Sequence, residues 1–192
     1  MITSNFNIIF LILIGLIQIS CNEEFIPKPR GYYRIDLPKP TYQIYQDDCP
    51  FKFEHQKSAT INNDRSRLAE QCWLNIIYPK YKATIHLSYK PVNNNIEKYL
   101  NDSYTLVYKH TVKAADISEK LVLNPNKKVY GVIYQIEGEA ASACQFHLTD
   151  SINHFVRGAL YFNVAPNQDS LAPVIAYIQN DIEHFVNSFE WK

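Results

Sequence analysis

The chain has 192 residues, and Lys plus Arg equals Asp plus Glu at 19 each, so it carries no formal net charge. That balance argues against a nucleic-acid binder, which needs a basic excess to displace counterions from phosphates, and 5 glycines are too few to suggest a glycine-rich phosphate cradle. A hydrophobic content of 46% with 14 Tyr and 10 Phe is unlike a disordered chain and supplies one packed domain rather than two.

Residues Ile8 to Ile17 form an apolar run of about ten residues, the length of an export-signal core and well short of the roughly 20 that span a bilayer. The run ends in Gln18-Ile19-Ser20-Cys21. A small residue directly before cysteine is what a lipoprotein signal peptidase requires, although Gln18 stands where an apolar residue is usual. The expectation is a signal peptide over 1–20 and a lipid on Cys21, with an ordinary cut secretory peptide or an uncut membrane stub as the alternatives. Each buried methylene of an acyl chain would contribute about 0.8 kcal/mol to membrane anchoring. Asn22-Glu23-Glu24 follows at once, either a surface-export signal or a solvated linker.

Residues 21–40 read as a lipidated, proline-rich tether, because Pro27, Pro29, Pro38 and Pro40 fix φ and remove donors. From Asn22 to Pro40 it reaches on the order of 60 Å if fully extended. Arg30, Tyr32, Arg34 and Asp36 give it more aromatic and charged character than a spacer needs, which marks them as a candidate contact with a partner or with the domain itself.

The remaining residues, 41–192, are expected to form a single α+β domain. Alternation of apolar and polar residues predicts strands near Phe51–Glu54, Cys72–Tyr78 and Ala83–Tyr89, the last two joined through Pro79-Lys80-Tyr81-Lys82. Along the third, Ala83, Ile85, Leu87 and Tyr89 share one face and Thr84, His86, Ser88 and Lys90 the other, the pattern of an antiparallel sheet. A helix over Ile96–His110 follows, capped by the Asn-rich turn before it. Further strands are expected at Lys128–Ile136, Ala143–Thr149 and Phe155–Asn163, with bulges at Gly131 and Gly158. The closing helix carries Leu171, Val174, Ile175, Ile178, Ile182, Phe185, Val186 and Phe189 at helical steps, with Asp169 or Ser170 as cap and Pro173 in its first turn. The whole describes an antiparallel sheet flanked by helices.

Of the four cysteines, Cys49 and Cys72 stand at the starts of neighbouring strands and are the candidate disulfide, worth roughly 3 kcal/mol in the chain-entropy model. Cys144 reads as a small buried residue, and no Cys-x-x-Cys suggests zinc. His147, Asp150 and His154 are the best candidates for a metal or acid–base site, set against turn capping by Asp150 and Ser151. His86 and His110 can approach in space, though spacing does not show it. No Gly-x-Ser-x-Gly elbow exists, and strand alternation points Cys144 and His147 apart. Glu137 and Glu139 flank Gly138 as a hairpin rim rather than a glycosidase pair. Neither a catalytic residue nor a cofactor or metal site is assigned.

Several longer motifs carry a resemblance. Pro27-Lys28-Pro29-Arg30-Gly31-Tyr32-Tyr33-Arg34-Ile35-Asp36-Leu37-Pro38, Trp73-Leu74-Asn75-Ile76-Ile77-Tyr78-Pro79, Lys82 to Tyr89, Phe146-His147-Leu148-Thr149-Asp150-Ser151 and Arg157 to Val164 resemble the GldD gliding-motility lipoproteins of Bacteroidetes over nearly the whole mature chain. The resemblance implies a non-enzymatic, lipid-anchored accessory protein of the gliding and type IX secretion machinery. It implies other Gld envelope proteins as partners, including the membrane protein GldE, and a place on the cell envelope at the periplasmic face or the surface. The element order also looks like the PsbP and Mog1 sandwich, a fold analogy without functional content. The competing expectation is a periplasmic enzyme that binds a metal or small ligand through His147, Asp150 and His154.

Overall fold

The computed structural model describes residues 35–164 and 168–192. The expected signal peptide, Cys21, Arg30, Tyr32 and Arg34 lie outside the described residues. In chain order the elements are β1 (Tyr42–Gln46), β2 (Phe51–Gln56), β3 (Thr60–Asn63), β4 (Leu74–Tyr78), β5 (Ala83–Pro91), α1 (Ile96–Tyr108), β6 (Ala114–Asn124), β7 (Val129–Gly138), β8 (Ser142–Thr149), β9 (His154–Phe162), α2 (Gln168–Ser188) and β10 (Glu190–Trp191). The expected α+β class is what these elements build.

All described strand pairs are antiparallel. A three-stranded sheet has the order β1-β2-β10, and a seven-stranded sheet the order β3-β4-β5-β9-β8-β7-β6. On one face of the larger sheet, Ile85, Leu87, Ile133, Phe146, Leu148, Val156 and Leu160 form a continuous core with the apolar stripe of α2 and with β2. The Phe53 ring lies tilted 4.4 Å from Phe185, and Phe51 stacks 5.5 Å from Phe189. Each such buried aromatic or aliphatic side chain contributes about 1.5–3 kcal/mol by leaving water. On the opposite face α1 buries Val107 against Tyr134 and Ile136. A strand covered on both sides has no solvent face, and every residue of β8 is buried.

Four local expectations are corrected. Gly131 and Gly158 do not mark bulges; both sit in regular register, and the register shifts fall at Ala114/Asp116 and Ser142/Cys144. The reason for glycine is close approach, since a Cβ on Gly131 would meet the His147 carbonyl oxygen at 1.9 Å and one on Gly158 the Phe146 ring at 2.2 Å. The Asn-rich turn does not cap α1: the Asn95 side chain accepts from the Asn93 amide at 2.8 Å and reaches the Tyr99 hydroxyl at 3.2 Å. α2 has already begun at Gln168, so Asp169 and Ser170 lie within it, and Pro173 sits inside the helix rather than in its first turn. There it forfeits a backbone bond that the apolar packing of α2 outweighs.

Candidate functional site

Along β5 and β9 the residues turned away from the main core are Thr84, His86 and Ser88, and Phe155, Arg157 and Ala159, with Ser88 paired to Arg157 and His86 to Ala159. The next strand adds Gln145 and His147, the latter paired to Arg157. α1 crosses this face and brings Tyr99 within 5.4 Å of the Phe155 ring. Between helix and sheet lies a cleft of about 500 Å³ whose walls include Trp73, His86, Lys98, Asp102, Phe155 and Arg157.

Arg157 dominates the electrostatics of the cleft. One of its terminal nitrogens donates to the Gln145 side-chain oxygen, while its buried Nε has no partner. Burial pushes its pKa down, and Tyr161 offsets this in part, but a guanidinium stays charged in any protein setting. Gln145 Nε2 and His147 Nδ1 are also buried without a partner. A buried polar group left unpaired costs about 1–3 kcal/mol, so these atoms favour a polar partner. Burial, then the Arg157 charge, lowers the His147 pKa to about 4. The same two causes, in the same order, lower His110, and burial lowers His86 against the pull of Asp64. These histidines are therefore neutral near pH 7, and the cationic character rests on Arg157 and the exposed Lys98.

The trio His147, Asp150 and His154 does not form a site. His147 faces α1, its ring stacked 5.8 Å from Phe155. His154 lies on the opposite face, where its Nδ1 is 2.9 Å from the Tyr89 hydroxyl and its ring stacks 5.2 Å from Trp191. Asp150 Oδ1 accepts from the backbone amides of Ile152, Asn153 and His154 at 3.0, 2.8 and 2.8 Å. Burial opposes ionisation there, but those three bonds together hold the carboxyl below its usual value. Asp150 thus closes the β8–β9 turn. Among the described residues no cluster of three His, Cys, Asp or Glu is arranged to hold a metal ion. Strand alternation keeps the expected trio apart: the hairpin register that sets His147 opposite Arg157 turns His154 the other way.

Cys49, ahead of β2, and Cys72, ahead of β4, are joined in a disulfide with 5.5 Å between Cα atoms, linking the two sheets. Cys144 is free and buried in the main core, on the face opposite His147; burial, with Glu183 second, pushes its thiol up to about 12. Glu137 and Glu139 are both exposed at the β7–β8 turn.

The end of the proline-rich stretch lies on the domain. Ile35 and Leu37 pack against the main core. Lys80 Nζ donates to the Asp36 carbonyl oxygen at 2.9 Å, and the Tyr177 hydroxyl to that of Pro38 at 2.9 Å. Asp36, the described member of the proposed contact set, is exposed. Arg157 escaped the sequence reading, although one signal was present: it shares strand parity with Phe155 and Ala159, so a cation stood among residues turned toward a covered face.

Fold and disulfide together define the class, an α+β domain whose two antiparallel sheets are clamped by one covalent bridge. Within that class the chain belongs to the GldD family of gliding motility lipoproteins, whose family model it matches over residues 22–191. Lipoproteins of this kind are associated with the cell envelope. Among the described residues no helix is long and apolar enough to cross a membrane. No curated protein matches the chain. Among solved structures it is similar to the solution structure of the cyanobacterial PsbP (CyanoP) from Synechocystis, at 8% identity and a TM-score of 0.45, covering 83% of this chain and 98% of that one. That likeness carries no function with it.

Proposed function

We propose that this protein is a lipid-anchored, non-enzymatic accessory component of the gliding and type IX secretion machinery, held to the envelope through Cys21. It acts by binding other Gld envelope proteins, among them the membrane protein GldE. Arg30, Tyr32, Arg34 and Asp36 form the contact.

The observation that carries this reading is the seating of residues 35–38. Packing of Ile35 and Leu37, with backbone bonds from Lys80 and Tyr177, fixes the end of the stretch on the folded body. With residues 35–38 held in place, a partner that reads Asp36 meets a lower ordering cost there. The β6 edge of the seven-stranded sheet, beyond which no strand pairs among the described residues, supports the same reading. β6 runs from Ala114 to Asn124 and leaves Leu121 and Leu123 69% and 72% exposed; an open apolar edge strand invites a protein partner.

Substituting Arg30, Tyr32 and Arg34 together by alanine tests the assignment. Co-purification of envelope partners is expected to be lost while the far-ultraviolet circular dichroism and melting temperature of the domain stay unchanged. Undiminished co-purification overturns the contact, and an acyl-free Cys21 in mass spectra of the native protein overturns the anchor.

A further inference from the structure

We propose that the cleft between α1 and the outer face of the sheet binds a small molecule bearing one carboxylate on an apolar body. Arg157 takes the carboxylate, and Trp73, Tyr99 and Phe155 take the body. None of its lining residues belongs to the proposed partner contact, and the two proposals stand or fall separately.

Three observations converge. The first is unspent donor capacity: a guanidinium has five N–H donors, and Arg157 uses one bond to Gln145 and leaves Nε without a partner. The second is the floor beneath it. Gln145 and His147 are 1% and 5% exposed, and each has an unpartnered nitrogen; His147 stacks on Phe155 and Gln145 bonds to Arg157, both of which line the cleft. Of the four such buried atoms among the described residues, three belong to this one group. The third is shape, because about 500 Å³ is the size of pockets that hold small ligands, and three aromatic rings stand on its walls.

Charge narrows the class of ligand. Lys98 lies at the rim, and Lys90 is engaged by Glu70. Asp64 and Asp102 share the lining. Two carboxylates in the wall repel a multiply charged head such as a phosphate dianion or a nucleic-acid backbone, whereas a single carboxylate matches the planar fork of a guanidinium.

The full chain, purified in detergent and labelled with nitrogen-15, is titrated with 3-phenylpropionate, acetate, benzyl alcohol and phenyl phosphate while the Trp73 indole N–H resonance is followed. The expected result is a saturable shift with 3-phenylpropionate, with an affinity at least about tenfold above that for acetate, benzyl alcohol or phenyl phosphate. Arg157→Gln is expected to weaken it at least about tenfold. Because that variant disturbs a buried residue, Lys98→Glu at the exposed rim provides a second reading that leaves the floor intact, with weakening of about threefold. The absence of a saturable shift at Trp73, tighter binding of phenyl phosphate or benzyl alcohol, or affinity indifferent to Lys98→Glu in a folded protein would each overturn the proposal.

Discussion

The Tyr177 hydroxyl donates to the Pro38 carbonyl oxygen at 2.9 Å, joining the closing helix to a stretch 139 residues earlier. The same hydroxyl accepts from Gln56 Nε2 at 2.7 Å, and that amide also donates to Asp181 Oδ2 at 3.0 Å. The Tyr42 hydroxyl completes the group by donating to Asp181 Oδ1 at 2.9 Å. Seating of the proline-rich stretch is thus wired into a polar network on the buried side of α2.

Removing the Tyr177 hydroxyl is expected to loosen that seat without unfolding the domain. Tyr177→Phe deletes one donor and one acceptor, a loss of about 1–2 kcal/mol. Amide exchange at Ile35 and Leu37 should quicken about tenfold, with exchange in β8 unchanged. Equal exchange in variant and parent would show that the bond to Pro38 holds nothing.

Asp181 is buried, and burial raises its carboxyl pKa even though Tyr42 and Gln56 donate to it. The folded state then holds the proton more tightly than the unfolded chain. The stability this contributes is fully present below the ordinary carboxylate pKa and is lost as pH rises through the raised value. Asp181→Asn cannot ionise, so its stability relative to the parent should climb as pH rises from below the ordinary carboxylate pKa through the raised value. Parallel stability curves across that range would contradict the assignment.

His147 titrates with the opposite sign. Burial and the Arg157 charge depress its pKa to about 4, so its contribution is present above the ordinary histidine pKa and disappears as pH falls through the depressed value. A shift of that size corresponds to at most about 3 kcal/mol. Ring resonances of His147 should stay in the neutral form down to about pH 4, and His147→Gln should lose less stability than the parent between about pH 6.5 and 4. A ring that titrates near 6.5 would show that the pocket floor is wet.

The bridge between Cys49 and Cys72 spans two sheets that also share one core, so its loss acts mainly by freeing the denatured chain. Denaturation of the reduced protein should fall short of the oxidised form by about 3 kcal/mol. A Cys144→Ser variant should show the same difference, because Cys144 is buried and unbridged. Identical midpoints with and without reductant would mean that the bridge adds no stability.

Where a residue faces the core, the sequence was informative. In α2 the apolar stripe Val174, Ile178, Ile182, Phe185 and Val186, with Phe189 just beyond its end, is buried as its spacing predicts, and along β5 Ala83, Ile85 and Leu87 join the core while the alternate His86 and Ser88 line the cleft. The strands missed were those with little core to face. β1 reads Tyr-Gln-Ile-Tyr-Gln and β3 Thr-Ile-Asn-Asn, both at sheet edges, and β6 is exposed along most of its length. An edge strand forms through pairing rather than through its own pattern, so alternation does not announce it. The histidine trio failed for a related reason. Nearness in sequence was visible, but the register across the β8–β9 turn, which Asp150 closes, decides which face each ring takes.

The most direct test of the central claim is a photo-activated crosslinker placed at Tyr32 in intact gliding cells, with the adducts identified by mass spectrometry. The account predicts a discrete adduct with another Gld envelope protein in the membrane fraction, lost when Arg30 and Arg34 are replaced by alanine. A protein that fractionates with the membrane, folds normally and yields no protein adduct from that position would contradict it.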